Sequence, residues 1–137
     1  LVRGHPAIDA FVEVEASAAG YRRLRRELAG RRFDLALALQ VALKGGLATA
    51  CVRARATLGF DRARARDLNW LFTSHRIPPH PRQHVQDQYF EFLRHLGVDP
   101  EPPTWRLGPW PHERAAQHAF HARVERPAAA IVCGTSD

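Results

Sequence analysis

The feature that most constrains the fold is a nearly continuous apolar run from Phe33 to Leu39, which only Asp34 interrupts. A half-exposed strand alternates apolar and polar residues, whereas a strand between two layers of helices is apolar throughout. The run is much shorter than the roughly 20 apolar residues that a membrane-spanning helix needs. We therefore predict a strand that is covered on both faces, as in a parallel sheet.

Helical and extended patterns alternate around this run. Tyr21, Leu24 and Leu28 recur at helical spacing, and Gly30 ends that helix. Strand, helix and strand within about 30 residues form a βαβ unit, so the chain is predicted to have an α/β fold. The other predicted elements are a strand at Ala10 to Val14, a helix at Val41 to Arg53, a strand at Ala56 to Phe60, a helix over residues 63–73 with Leu68, Leu71 and Phe72 inward, an irregular segment from Ile77 to Arg82, and a helix from His84 to Leu96.

The last third of the chain has a different composition. Five prolines and two tryptophans between Asp99 and Pro111 predict an extended segment, and a helix follows as far as about Val124. We expect that helix to turn Ala115, Ala116, Ala119 and Phe120 inward. Ala128 to Cys133 is a further strand candidate, and Gly134, Thr135 and Ser136 follow it as either a phosphate-binding turn or a flexible terminus.

The charge balance favours anionic partners. The chain has 20 Lys and Arg against 14 Asp and Glu, which gives a net charge of +6, and Lys44 is its only lysine. Arginine suits bidentate contacts with carboxylates and phosphates, although codon bias explains heavy arginine and alanine usage equally well. The widely separated Cys51 and Cys133 predict reduced thiols in a cytosolic protein rather than a disulfide framework.

Two groups of polar residues are candidate ligand contacts. Gln40 and Lys44 follow the apolar run, at the carboxyl end where open α/β sheets bind ligands, and their spacing places both on one helix face. The alternative is an ordinary helix start with one exposed lysine. Arg62, Arg64 and Arg66 follow the next strand, where they form either an anion clamp or a solvated face.

Other chemistries find little support. His118 and His121 are three residues apart, but no cysteine or carboxylate pattern completes a metal site, so we expect surface histidines and no metal. The aromatic residues cluster around prolines instead of alternating with arginines, so we expect no nucleic-acid partner. No Ser-His-Asp arrangement or Gly-rich nucleotide loop is recognisable.

Several segments, in the right order along nearly the whole chain, resemble glycosyltransferase family 9, the lipopolysaccharide heptosyltransferases. Arg32 to Lys44 is similar to that family's (Y/F)DLVIDLQGLLK segment. Ala38 and Val41 depart from the Asp and Gly of that segment, and Gly45 departs from the Ser that follows its lysine. The remaining matches are the opening His5 to Asp9, the GFDR-like segment from Gly59 through Asp67, the runs Asn69 to Phe72, His75 to Pro78 and His84 to Tyr89, and Ile131 to Ser136.

The resemblance implies a GT-B enzyme, in which two Rossmann-like domains face each other across a cleft. Such an enzyme transfers heptose from an ADP-sugar to the lipopolysaccharide inner core with inversion, in the cytoplasm and in contact with the inner-membrane surface, without a transmembrane segment. A carboxylate takes the proton of the acceptor hydroxyl as ADP leaves, and no cofactor or metal takes part. The resemblance places that base before Leu1, so we expect a fold that is incomplete at both ends and a piece that is inactive alone.

The resemblance also assigns domains and site residues. Residues 1–126 correspond to a partial acceptor-binding domain, in which 99–126 form the proline-rich connection and its helix. Residues 127–137 correspond to the first strand and turn of a truncated nucleotide-sugar domain. Gln40, Lys44 and Arg66 are the expected contacts of the anionic acceptor, and Gly134, Thr135 and Ser136 are those of the donor phosphates. The alternatives are a family 9 relative with another sugar or acceptor, and a non-catalytic remnant.

Overall fold

A computed structural model describes residues 4–100, 102–103 and 109–124 of the chain. The described residues belong to two compact units, one within residues 12–103 and one within residues 1–11 and 104–137. The larger unit contains the sheet, the core and the cavities discussed below. The smaller unit contains one described helix, α4, at Arg114–His121.

The larger unit is an α/β structure built on a parallel sheet. Its strands β1 (Phe33–Ala38), β2 (Ala54–Gly59) and β3 (His75–Arg76) lie in the order β1-β2-β3. In the register, Leu35 lies opposite Ala56, and Leu58 opposite His75. The helices are α1 (Ala18–Glu27), α2 (Leu43–Ala50) and α3 (Val85–His95), and a short 3-10 helix spans Asn69–Phe72.

Local sequence signals set the helix ends. The Ser17 side chain accepts a hydrogen bond from the Gly20 N–H at 3.0 Å and caps α1, which buries Leu24. The His84 ring accepts from the Gln86 N–H at 3.3 Å at the start of α3. After α3, Gly97 adopts a φ of 77°, and the Val98 N–H reaches back to the Leu93 carbonyl. Such a left-handed glycine is typical of a helix C-terminus.

The core lies where β2 meets α3. Leu58, Phe60, Ile77 and Phe92 are each at most 4% exposed, and Val41 packs against them. The rings of Phe60 and Phe92 meet edge to face with centroids 4.9 Å apart. This cluster joins the residue after β2 to the middle of α3 and therefore sets the position of the α3 N-terminus relative to the sheet edge.

The predicted order from α1 through β1, α2, β2 and α3 is confirmed, but the burial predicted for β1 is wrong. Phe33, Leu35 and Leu37 are 37–39% exposed, and the burial falls on Ala38. Within the described residues β1 is an edge strand, so no strand pairs with its outer side and solvent reaches its side chains from there.

The helix predicted over residues 63–73 is also wrong. Asp67 and Leu68 have φ values of 52° and 62°, a left-handed conformation that interrupts a right-handed helix. Only the 3-10 helix Asn69–Phe72 forms, and Leu68 and Leu71, predicted inward, are 59% and 58% exposed. The short strand β3 directly after it was not predicted.

Three further expectations concern the ends of the chain. Ala10 to Val14 forms no strand, because no described strand pairs with it and β structure requires a partner. In α4, Ala115, Ala116, Ala119 and Phe120 are exposed rather than inward, and Phe120 is 65% exposed. The predicted strand at Ala128 to Cys133 lies outside the described residues.

Candidate functional site

A cavity of about 700 Å³ lies at the carboxyl end of β1 and β2 and reaches the first turn of α3. We call it the carboxyl-edge cavity. Open parallel sheets bind ligands at this edge, because the loops that leave neighbouring strands converge there. Its lining comes from three chain segments: Leu39, Gln40 and Val41 after β1; Phe60, Ala63, Arg64 and Arg66 after β2; and His80, Arg82, Val85, Gln88 and Tyr89 at the start of α3.

Backbone and amide hydrogen bonds tie the loop after β2 to the segment after β1. The Arg66 N–H donates to the Val41 carbonyl at 2.7 Å, and the Asn69 side-chain amide donates to the Ala42 carbonyl at 2.6 Å. Asn69 is 2% exposed, and its own N–H donates to the Arg66 carbonyl at 2.9 Å. These bonds fix the backbone of Arg66 beside Val41, so the arginine side chain extends from a backbone that is held in place.

Arg64, one of the residues that line the cavity, forms an ion-pair network with Asp61 and Glu91. Its guanidinium donates two hydrogen bonds of 2.8 Å to the two carboxylate oxygens of Glu91. Its Nε donates to Asp61, and Nη2 donates to the Pro78 carbonyl at 3.0 Å. Gln83 donates to Glu91 as well. The guanidinium binds Glu91 in a bidentate geometry and also binds Asp61. Because Asp61 lies in the loop after β2 and Glu91 lies on α3, Arg64 joins that loop to α3.

The same network sets the ionisation of its members. Burial raises the pKa of Asp61, but hydrogen bonds from Arg64 and from the Ala63 N–H outweigh it and hold this pKa below its ordinary 3.8. The hydrogen bond to Glu91 raises the pKa of Arg64 against the opposing effect of burial. Arg64 therefore stays charged, and two carboxylates neutralise it.

Arg66 and Arg82 differ from Arg64 in this respect. Within the described part of the chain, no carboxylate lies within ion-pair distance of either guanidinium. The His80 ring, which also lines the cavity, is hydrogen-bonded to the Pro81 carbonyl through Nδ1 at 3.0 Å. Two cations without counter-ions, together with the amides of Gln40 and Gln88, suit an anionic and hydroxyl-rich ligand such as an acidic sugar.

Lys44 lies in a separate, smaller cavity of about 310 Å³ that Gln40 also lines. The Lys44 carbonyl accepts a hydrogen bond from the Tyr21 hydroxyl at 3.2 Å, which joins α2 to α1. Gly45 is needed here, because a Cβ at this position would lie 2.3 Å from the Cβ of Gln40. Glycine in place of the serine expected from the family pattern thus lets Gln40 sit between the two cavities.

The structure therefore brings two of the predicted acceptor contacts together and separates the third. Gln40 and Arg66 line the carboxyl-edge cavity, and Lys44 lines the neighbouring one. Gly134, Thr135 and Ser136 lie outside the described residues. The run Arg62, Arg64 and Arg66 is not one clamp, because Arg64 is neutralised and Arg62 stacks on Trp70.

Sequence reasoning missed the contribution of the α3 segment. Arg82 lies in the stretch predicted to be irregular, and Val85 and Tyr89 are apolar residues of the predicted helix, which gives no sign that they are 57% and 41% exposed and line the cavity. The available signal was Gln88, a polar residue beside these two on the N-terminal turn of an amphipathic helix.

Two departures from the family pattern lie in the interior. Ala38 is 5% exposed and sits opposite Gly59 in the sheet, and Val41 packs on the core. Among the residues that the structure describes, no group of three His, Cys, Asp or Glu side chains is arranged to hold a metal ion. None of the described helices is long and apolar enough to cross a membrane.

These features define a parallel α/β protein with a basic cavity at the carboxyl edge of its sheet. The family model described as glycosyltransferase family 9 (heptosyltransferase) matches residues 21–137. The chain belongs to glycosyltransferase family 9.

Among characterised relatives, the chain is 31% identical over 88 residues to the lipopolysaccharide core heptosyltransferase OpsX of Haemophilus influenzae. That match covers 64% of this chain and 25% of OpsX, so the chain aligns with about a quarter of that relative's length. No solved structure matches the chain.

Proposed function

We propose that this chain supplies acceptor binding to a glycosyltransferase of the GT-B type, which transfers heptose from an ADP-sugar to the inner core of lipopolysaccharide with inversion. The observation that carries the proposal is the carboxyl-edge cavity, where Arg66 and Arg82 lack counter-ions while the adjacent Arg64 is neutralised. Family membership and the likeness to OpsX support heptose as the sugar.

The proposed reaction is a direct displacement. The acceptor hydroxyl oxygen attacks the anomeric carbon, the bond from that carbon to the ADP phosphate oxygen breaks, and a carboxylate takes the hydroxyl proton. We assign no cofactor to this step, since the ADP-sugar is a substrate. The described residues contribute binding and orientation: Arg66 and Arg82 pair with acidic groups of the acceptor, and Gln40 and Gln88 bond its hydroxyls.

Under this proposal, residues 1–126 belong to the acceptor-binding, Rossmann-like half and residues 127–137 to the nucleotide-sugar half. Gly134, Thr135 and Ser136 contact the donor phosphates. Lys44 extends the acceptor site beyond Gln40 into the second cavity. The proposed location is the cytoplasm, including the cytoplasmic face of the inner membrane.

The proposal is tested by titrating the chain with deacylated inner-core oligosaccharide in a calorimeter. We expect Arg66→Gln and Arg82→Gln each to weaken binding about tenfold, the effect of one charge-assisted hydrogen bond of ~1.4 kcal/mol. Arg94→Gln is the matched control, because Arg94 is exposed in the last turn of α3 and does not line the cavity. Equal affinity in all three variants would contradict the proposal.

A second test uses the transferase that contains this chain. We expect Lys44→Ala and Arg66→Ala to raise the KM for acceptor and to leave ADP-sugar binding unchanged. Unchanged acceptor kinetics in both variants would refute their assignment to the acceptor.

A different sugar or acceptor within family 9 is the second candidate. The observation that favours it is the change at Ala38 and Val41, which removes a carboxylate beside the cavity and a glycine within its lining. A panel of nucleotide sugars offered with the same acceptor distinguishes the two, because a preference for any donor other than ADP-heptose would support this candidate. If no donor supports transfer, the conclusion is that the protein binds the acceptor without catalysing a transfer.

A further inference from the structure

The net positive charge of the chain is concentrated in two stretches of the larger unit. Residues 18–34 and 52–56 together contain eight arginines and two acidic residues, a net charge of +6. The whole chain also has a net charge of +6, so its remaining residues carry equal numbers of acidic and basic side chains. Codon bias raises arginine usage along a whole chain and does not separate arginines from acidic residues in this way.

Six of these arginines line two neighbouring cavities, and we call this group the amino-side band. One cavity, of about 620 Å³, lies along α1, and the other, of about 830 Å³, lies at the amino ends of β1 and β2. Nη1 of Arg53 in the second cavity donates to the carbonyl of Ala29 in the first at 3.2 Å, so the two cavities are adjacent. The six residues are Arg22, Arg25 and Arg26 in the first cavity and Arg32, Arg53 and Arg55 in the second.

The amino-side band lies at the opposite end of the strands from the carboxyl-edge cavity. Arg32 and Arg53 directly precede β1 and β2, whereas Leu39 and Phe60 of the carboxyl-edge cavity directly follow them. The residues that line the carboxyl-edge cavity and those that line the band do not overlap. The acceptor site proposed above therefore leaves the excess positive charge unexplained.

The fold does not account for this charge either. All six arginines are exposed, and none has a carboxylate within ion-pair distance in the described part of the chain. The dipole of α1 favours Arg25 and Arg26 in its last turn, but Arg22 lies one turn earlier, where it repels Arg26. Arg32 and Arg53 precede strands, which have no comparable dipole.

We propose that the amino-side band binds an acidic amphipathic helix of a partner protein. Arg22, Arg25 and Arg26 share one face of α1, at the spacing that also places carboxylates on one face of a partner helix. Each guanidinium can bind a carboxylate through two hydrogen bonds. Ala19 and Ala29 line the same cavity and offer apolar contacts beside these pairs. This interaction does not depend on the proposed transfer reaction.

The side chains of the band favour a helix over a nucleic acid. Proteins hold single-stranded nucleic acids by stacking bases on exposed aromatic rings, and among the described residues that line the two cavities Phe33 alone is aromatic. A duplex presents a charged backbone, which has no apolar groups to pack on Ala19 and Ala29. An amphipathic helix presents apolar side chains next to its carboxylates and satisfies both parts of the α1 cavity.

The test measures binding of the 137-residue chain to a fluorescent, alanine-based helical peptide of about 20 residues that carries Glu at every third or fourth position. The control peptide has Gln in place of every Glu. We expect binding of the Glu peptide that weakens steeply with salt, and little binding of the Gln peptide. An oligonucleotide of equal charge that binds more tightly than the Glu peptide would overturn the proposal in favour of a nucleic-acid partner.

Paired arginine variants locate the binding. We expect Arg22→Gln with Arg26→Gln to weaken peptide binding about 25-fold, a factor of about five for each exposed ion pair. Arg22→Lys with Arg26→Lys keeps the charge but loses the planar fork, so we expect an intermediate loss of about fivefold. The matched control is Arg94→Gln with Arg114→Gln, which removes two exposed charges outside the band and should change binding less than about twofold.

The outcomes separate the band from a general effect of charge. Equal losses in the two glutamine pairs would overturn the proposal, because the peptide would then respond to the net charge of the chain. Full binding by Arg22→Gln with Arg26→Gln would overturn it as well. Binding of deacylated inner-core oligosaccharide should be unchanged in both pairs, so failure of the band and failure of the acceptor site are distinguished.

Discussion

Glu91→Gln tests whether the Arg64 network holds the loop after β2 against α3. The side chains of Arg64 and Glu91 are 17% and 11% exposed and share two bonds of 2.8 Å. Exposed ion pairs contribute at most about 1 kcal/mol, whereas breaking a buried pair costs about 3–5 kcal/mol. Because this pair is mostly but not fully buried, we expect the free energy of unfolding to fall by about 2 kcal/mol. For a chain of this length that corresponds to a Tm lower by roughly 8 °C.

Thermal unfolding followed by circular dichroism measures the effect. Glu15→Gln is the control, because Glu15 is exposed and forms no ion pair within the described residues. A double-mutant cycle with Arg64→Met isolates the interaction and should give a coupling free energy of about 2 kcal/mol. A coupling below about 0.5 kcal/mol, or a Tm change no larger than the control's, would refute the assignment of this network as the clamp.

Three further predictions follow from particular contacts. The pKa of Asp61 lies below 3.8, so the stability that its carboxylate contributes is present above that pH and is lost as the pH falls through the folded-state pKa. In urea unfolding measured from pH 5 to 2, Asp61→Asn should reduce the fall in the free energy of unfolding with decreasing pH. The same pH dependence in the variant and the wild type would contradict the role given to Asp61. Gly45→Ala places a Cβ 2.3 Å from the Cβ of Gln40, so it should displace Gln40, lower the Tm and weaken oligosaccharide binding. An unchanged Tm together with unchanged binding would show that the close approach of Gly45 to Gln40 does not determine the shape of the two cavities. Phe92→Ala removes a ring that is 1% exposed and should cost about 4 kcal/mol in denaturant unfolding, with a loss under 1 kcal/mol arguing against this core.

The order from α1 through β1, α2, β2 and α3 was predictable because each of these elements carries a local signal. The apolar run at Phe33, the helical spacing ending at Gly30 and the stop at Gly97 depend on neighbours within one turn of the chain. The burial of those elements was not predictable in the same way. Whether Leu35 or Val85 faces solvent depends on which layers cover it, and that is a property of the assembled sheet.

In the candidate site, too, some features follow from local sequence and others depend on the assembled fold. Gln40 and Arg66 follow strands, and topology alone places strand ends at the ligand edge of a parallel sheet. The neutralisation of Arg64 depends on Glu91, which lies 27 residues away along the chain, so no local pattern separates it from Arg66. The left-handed backbone at Leu68 likewise has no signal in residue types, because leucine disfavours that conformation.

The most direct test of the central claim follows the arginine side chains themselves. The Nε–H resonances of a ¹⁵N-labelled chain are recorded while deacylated inner-core oligosaccharide is added. The account predicts that the signals of Arg66 and Arg82 shift and saturate together, while that of Arg64, already held by Asp61 and Glu91, stays in place. Saturating shifts at other arginines, with Arg66 and Arg82 unmoved, would contradict the assignment of the carboxyl-edge cavity as the acceptor site.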